Sequence, residues 1–128
     1  MVRPCLRVLR LVLFALALLG CDQGGLRIVR VTGTVTLDGR PLPHASIHFT
    51  PTKGGRGSYS RLDANARYAL QFLPGQPGAV VGTHRVSIST ADESGGSEIV
   101  PARYNYKSEL TVAVTPSTTT IDFELKTP

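Results

Sequence analysis

VTGTVTLDGRPLPHASIHFTP, residues Val31 to Pro51, decides how this chain is read. Val31, Gly33, Val35 and Leu37 alternate with Thr32, Thr34 and Thr36, and Ala45, Ile47 and Phe49 alternate with Ser46, His48 and Thr50. A period of two sends successive side chains to opposite faces, so each run predicts a strand with one buried face. Asp38-Gly39 between them is a turn signal, since both residues tolerate the positive φ that a two-residue hairpin turn requires. Pro41 and Pro43 stiffen the exit. The stretch therefore predicts one hairpin of an all-β domain.

Toward the C-terminus the pattern recurs. Tyr59 to Leu62 predicts a short strand, Asp63 to Ala66 a turn, and Tyr68 to Phe72 another strand with Tyr68, Leu70 and Phe72 on one face. Pro74 to Gly78 breaks it. From Thr83 to Thr90, His84, Val86 and Ile88 alternate with Arg85, Ser87 and Ser89. Ala91 to Glu98 (ADESGGSE) reads as a flexible acidic loop and Ile99 to Lys107 as an irregular segment around Pro101. Leu110, Val112 and Val114 mark one more strand, and Ile121, Phe123 and Leu125 the last. Six or seven short strands with turns between them predict an antiparallel sandwich.

Toward the N-terminus the composition changes. Arg3, Arg7 and Arg10 precede nine apolar residues, Leu11 to Leu19, followed by Gly20-Cys21. A membrane-spanning helix needs about 20 apolar residues, so this shorter run predicts a signal-peptide core. With its arginines removed, 11 Lys and Arg face 9 Asp and Glu, and the formal charge of +5 falls to +2. The basic balance is then mainly a targeting signal, and no nucleic-acid partner is expected. Cys5 and Cys21 are the two cysteines; neither is left for a disulfide in the folded domain. A domain of about a hundred residues buries roughly two-thirds of its unfolded surface, which suffices without crosslinks.

Leu18-Leu19-Gly20-Cys21 resembles the lipobox of bacterial lipoproteins, whose cysteine thiol receives diacylglycerol and becomes the mature N-terminus. That resemblance implies a signal peptide over residues 1–20, lipid-bearing Cys21 with a short tether over 21–29, and a folded domain over 30–126. Asp22-Gln23-Gly24-Gly25 and the next few residues, fully extended, reach about 25 Å. Gly33 through Leu42, Ala45 through Pro51, Asp63 through Tyr68, Gly82 through Ile88 and Pro101 through Asn105 resemble small bacterial lipoproteins with a carboxypeptidase-regulatory-like domain, similar in fold to transthyretin. The resemblance implies a single seven-stranded antiparallel Greek-key β-sandwich after an N-terminal signal-peptide helix. It also implies a bacterial cell-envelope address, membrane-anchored through lipid on Cys21 and facing the periplasm or the exterior. Ala66 stands where the family's turn has Gly, and His84 where an aromatic is common.

Candidate chemistry is sparse. His44 and His48 on one extended strand would lie about 13 Å apart, whereas two ligands of one zinc lie within about 4 Å, so no metal is expected there. His84 shares a face with Val86 and Ile88 and predicts a core or rim histidine. H-x-x-E, H-E-x-x-H and G-x-S-x-G motifs and a phosphate-binding glycine loop do not occur, so neither an enzyme nor a cofactor is expected. Asp92, Glu93 and Glu98 offer oxygens at no calcium-loop spacing. Lys53, Arg56 and Arg61 near Tyr59 form a weak basic-aromatic cluster, suited to anionic headgroups or polysaccharide. Arg103, Tyr104, Asn105, Tyr106 and Lys107 are the candidate ligand-binding residues: aromatics beside hydrogen-bonding groups suit a sugar or a protein, and binding residues concentrate on loops held by a scaffold. The bland alternative is that Pro101 and Tyr104 lock the crossover between strands. The expected function is a non-catalytic, lipid-anchored envelope protein whose transthyretin-like module is structural or meets an envelope protein or polysaccharide. The second reading is a carbohydrate- or small-ligand-binding envelope lipoprotein using the Tyr104–Lys107 loop. Oligomeric state is left open.

Overall fold

Alternation in the sequence becomes alternation in burial: Val35, Ile47, Phe49, Val86 and Ile88 are fully buried, while Thr50, His48 and Arg85 between them are exposed. The computed structural model describes residues 26–91, 96–118 and 120–128. The expected signal-peptide helix, Cys21, and Asp92 and Glu93 lie outside the described residues. Twelve strand segments form: β1 (Ile28–Val29), β2 (Thr32–Leu37), β3 (Arg40–Pro41), β4 (Ser46–Pro51), β5 (Ser58–Arg61), β6 (Arg67–Ala69), β7 (Gln71–Leu73), β8 (Gln76–Pro77), β9 (Ala79–Val80), β10 (Gly82–Ser89), β11 (Thr111–Val114) and β12 (Phe123–Leu125). A single 3-10 turn covers Ala102–Tyr104.

These segments divide into three sheets. β1 pairs with β9; six strands run in the order β11-β10-β4-β5-β7-β8; and β12-β2-β3, with β6 also on β2, make a sheet of four. The all-β class stands, but the expected single seven-stranded antiparallel Greek-key sandwich does not. With it go the likeness to transthyretin and the carboxypeptidase-regulatory-like module read from the sequence. One pairing, β12 with β2, is parallel.

Local chemistry explains the difference. The Asp38-Gly39 turn forms as expected, with φ of 52° and 80°, the pattern of a type I′ turn, and sets Leu37 opposite Arg40. Leu42 N–H still donates to the Val35 carbonyl at 3.1 Å, but Val35 N–H donates to the Ala66 carbonyl at 3.0 Å, so the pairing of β2 with β3 ends there. The chain then turns through His44, at φ 61°, and enters the six-stranded sheet as β4. β2 and β4 are thus not one hairpin but the first strands of two different sheets.

Tyr68 to Phe72 is likewise divided. β6 pairs with β2 and β7 with β5, and the switch is Leu70, whose N–H donates to the Val31 carbonyl at 3.0 Å and whose carbonyl accepts from Gly78 N–H at 2.7 Å. The turn before β6 holds Ala66 at φ 58°, a conformation that a residue with a Cβ adopts at a cost of about 1–2 kcal/mol. Asp63 secures it, its Oδ1 accepting from Asn65 N–H at 2.8 Å and Arg67 N–H at 3.0 Å. After β11, at the edge of the large sheet, the chain crosses over to lay β12 beside β2; a parallel pair requires such a crossover.

The inner faces of the two larger sheets meet around Phe49. Its ring centroid lies 5.7 Å from His84, 6.1 Å from Phe123 and 6.3 Å from Tyr68, spacings typical of packed aromatic pairs. The crossover fits because position 33 has no side chain. A Cβ on Gly33 would collide with the Ile121 carbonyl and lie 2.8 Å from the Tyr68 ring. That carbonyl is where the Tyr68 hydroxyl donates, at 2.5 Å, and Ile121 N–H in turn donates to Thr32 O at 2.9 Å. Burial, aided by the charge of Asp122, raises the Tyr68 phenol far above its ordinary pKa and keeps the proton that makes this bond.

Gly33→Ala should therefore destabilise the domain by about 3 kcal/mol, the upper end of overpacking effects. Urea unfolding followed by circular dichroism would measure it; a loss below about 0.5 kcal/mol would show that β12 is not pinned this way.

Candidate functional site

Glu98 organises the loop that carries the candidate binding residues. Its Oε1 accepts from Thr90 N–H at 2.9 Å, the Thr90 hydroxyl at 2.9 Å and Val100 N–H at 3.1 Å. Its Oε2 accepts from the Ser89 hydroxyl and from Asn105 Nδ2 at 2.7 Å. One carboxylate thus ties the end of β10 to both sides of the loop. Partial burial works to raise its pKa, but the donors from Ser89, Thr90 and Val100 favour the charged form and together bring it down to about 2.

Three of the five candidate residues are absorbed by this framework. Asn105 is bound to Glu98. The Arg103 guanidinium donates to the Lys126 carbonyl and stacks 4.8 Å from the Tyr104 ring centroid. Tyr104 packs against the core, and its hydroxyl oxygen accepts from Lys126 N–H at 3.3 Å. Ser108 extends the frame, its hydroxyl donating to the Val86 carbonyl. Tyr106 and Lys107 point away from all this: Tyr106 is 77 % exposed, with the Lys107 ammonium 5.8 Å from its ring centroid.

The histidines are dispersed. His84 is 1 % exposed; its Nε2–H donates to the Val80 carbonyl at 2.6 Å, which fixes the tautomer, and Nδ1 is buried with no hydrogen-bond partner among the described residues. It is a core side chain, closed to any substrate. His48 stacks on Tyr59 across β4 and β5, ring centroids 4.7 Å apart, and desolvation lowers its pKa. His44 sits in the turn before β4. Among the described residues no three His, Cys, Asp or Glu side chains gather as a metal site.

At the Asp38 turn a shallow groove is lined by Thr36, Asp38, Gly39, Glu124, Leu125 and Lys126. Its carboxylate is already engaged: Thr127 N–H and the Thr127 hydroxyl donate to Asp38 at 2.9 and 2.8 Å, and these bonds lower the Asp38 pKa. Cys21, the expected lipid-attachment residue, lies outside the described residues. Among those described, no helix is long and apolar enough to cross a membrane. Comparison with known protein families and with curated proteins finds no match to this chain.

Sequence reading singled out the Arg103–Lys107 loop but missed what holds it. Glu98 was legible only as one acid in a flexible loop; the hint lay in Ser89-Thr90, two hydroxyl residues at the strand end able to face it.

The pH dependence follows from Glu98. A carboxylate whose folded pKa is depressed adds stability above its unfolded value, here 4.5, and that stability is lost as pH falls through about 2. The urea midpoint should fall between those pH values, and Glu98→Gln should flatten that fall while lowering the midpoint at pH 7. An unchanged acid limb in the variant would remove Glu98 from this role.

Proposed function

We propose that this chain is a binding domain held at a membrane of the cell envelope by lipid on Cys21, and that it contacts its partner through Tyr106 and Lys107. The observation that carries the reading is the division of labour in the loop. Glu98, Arg103, Tyr104 and Asn105 spend their polar groups on the framework, while an aromatic ring and an ammonium beside it are left standing on a prepared support. Such an arrangement reduces the ordering entropy of binding and suits a hydroxyl-rich or carboxylate-bearing partner, a polysaccharide or a protein of the envelope. Binding is favoured over catalysis because His84 is sealed in the core and Glu98, the carboxylate with the most strongly lowered pKa, is engaged by backbone and side-chain donors of its own loop.

The address is tested by intact-mass measurement of the protein from its native host and by Cys21→Ser. Acylation should appear as added mass on a chain beginning at Cys21, and the variant should leave the membrane fraction. A full-length, unacylated chain would overturn the anchor.

The contact is tested by pairing two tyrosines. Tyr106→Ala should weaken binding to isolated envelope polysaccharide or its protein partner about fivefold, roughly 1 kcal/mol, with no change in melting temperature. Tyr104→Ala should instead cost about 2 kcal/mol of stability, because its ring packs on the core. Unchanged binding by the Tyr106 variant would move the contact elsewhere.

A further inference from the structure

The end at which the chain enters this domain carries cations without a described carboxylate beside them. β1 pairs with β9, and Val81 N–H donates to the Arg27 carbonyl at 2.9 Å, so the chain enters beside the start of β10. Thr52 N–H donates to the Thr83 carbonyl at 3.0 Å, which brings the glycine-rich loop between β4 and β5 to the same place. Arg27, Arg30, Lys53 and Arg56, all exposed, therefore share the entry end of the molecule. No described carboxylate lies there. Asp38 and Asp63 sit in turns at the opposite end, Glu98 and Glu109 beside the far part of β10, and Glu124 on β12. Asp122 is held by Thr34 N–H at 2.9 Å and the Thr34 hydroxyl at 3.1 Å.

We propose that this basic end docks on anionic lipid headgroups and sets the orientation of the domain on its membrane. The inference rests on the anchor at Cys21. Leu26 follows Cys21 by five positions, a reach of about 17 Å when extended, so the entry end is held close to the surface that receives the lipid. Asp22 in that tether offsets one of the four charges. Cations this close to an anionic leaflet are attracted over a Debye length of about 8 Å at physiological salt. The loop Thr52 to Gly57 has three glycines and can settle its Lys53 and Arg56 onto a surface. Exposed Leu26 stands at the same end, where an apolar side chain meets the headgroup boundary. Docking this end turns Tyr106 and Lys107, beside Glu98 at the far end, away from the membrane and toward a partner.

The lysines of the chain report this directly, since Lys53 lies at the entry end and Lys107 and Lys126 at the other. The protein purified from the membranes of its native host would be reconstituted in vesicles of phosphatidylcholine alone or with phosphatidylglycerol, labelled with an amine-reactive reagent and mapped by mass spectrometry. Phosphatidylglycerol should slow labelling of Lys53 about fivefold while leaving Lys107 and Lys126 unchanged, and 1 M salt should restore it. The Arg27→Glu/Arg56→Glu variant, changed only at exposed positions, should show no lipid-dependent protection. Equal labelling of Lys53 on both vesicles, protection of Lys107 instead, or protection of Lys53 by soluble polygalacturonate but not by phosphatidylglycerol would overturn the proposal. Intact mass of the same preparation reads Cys21 acylation separately, so failure of the anchor and failure of the docking are distinguishable.

Discussion

The approach of the Ile121 backbone to Gly33 is the constraint on which the rest of the molecule depends. The four-stranded sheet exists only because the last strand returns to lie parallel to the first long one, and that return passes over a position without a side chain. Tyr68 makes the approach specific: its ring packs in the aromatic cluster around Phe49 while its hydroxyl fastens the Ile121 carbonyl. One residue thus belongs to the apolar core and to the polar seam at once. Placing a buried donor on a carbonyl that would otherwise face a ring satisfies both groups where no water can.

Much of the local structure could be read from residue order, and much of the topology could not. The Asp38-Gly39 turn, the faces of β2, β4 and β10, and the break at Pro74 follow from side-chain period and backbone chemistry. Pro41 and Pro43 were visible too, but as stiffeners of a hairpin exit; that they end one sheet and launch another depends on where β10 lies, which no local pattern states. Leu70 carries no mark that separates it from Tyr68 or Phe72, because a residue switching sheets still buries its side chain. The parallel mate of β2 is invisible for the same reason: Phe123 and Leu125 alternate as they would in an antiparallel edge. These are the points at which the likeness to a known sandwich misled, since shared turn residues do not dictate which strand pairs with which.

For the candidate site the balance is similar. The Arg103–Lys107 segment stood out for its residue types, yet types alone could not tell Tyr104 from Tyr106. Position does: one ring faces the core and the backbone of Lys126, the other faces water. Glu98 makes the difference possible by fixing the loop with bonds that an acidic, glycine-containing sequence gave no reason to expect. The basic residues were legible one by one, but bringing Arg27, Arg30, Lys53 and Arg56 to one end required the pairing of β1 with β9 and the Thr52–Thr83 bond.

The parallel pairing of β2 with β12 also bears on how the polypeptide is made. Thr34 and Asp122, hydrogen-bonded across that seam, stand 88 residues apart in the chain. During synthesis, β2 leaves the ribosome long before its mate exists, and the small sheet cannot close until β12 has emerged. Such distant contacts slow folding, because the loop entropy is lost before the contact rewards it. Until β12 docks, one edge of β2 stays unpaired, and β12 acts as the latch of the small sheet.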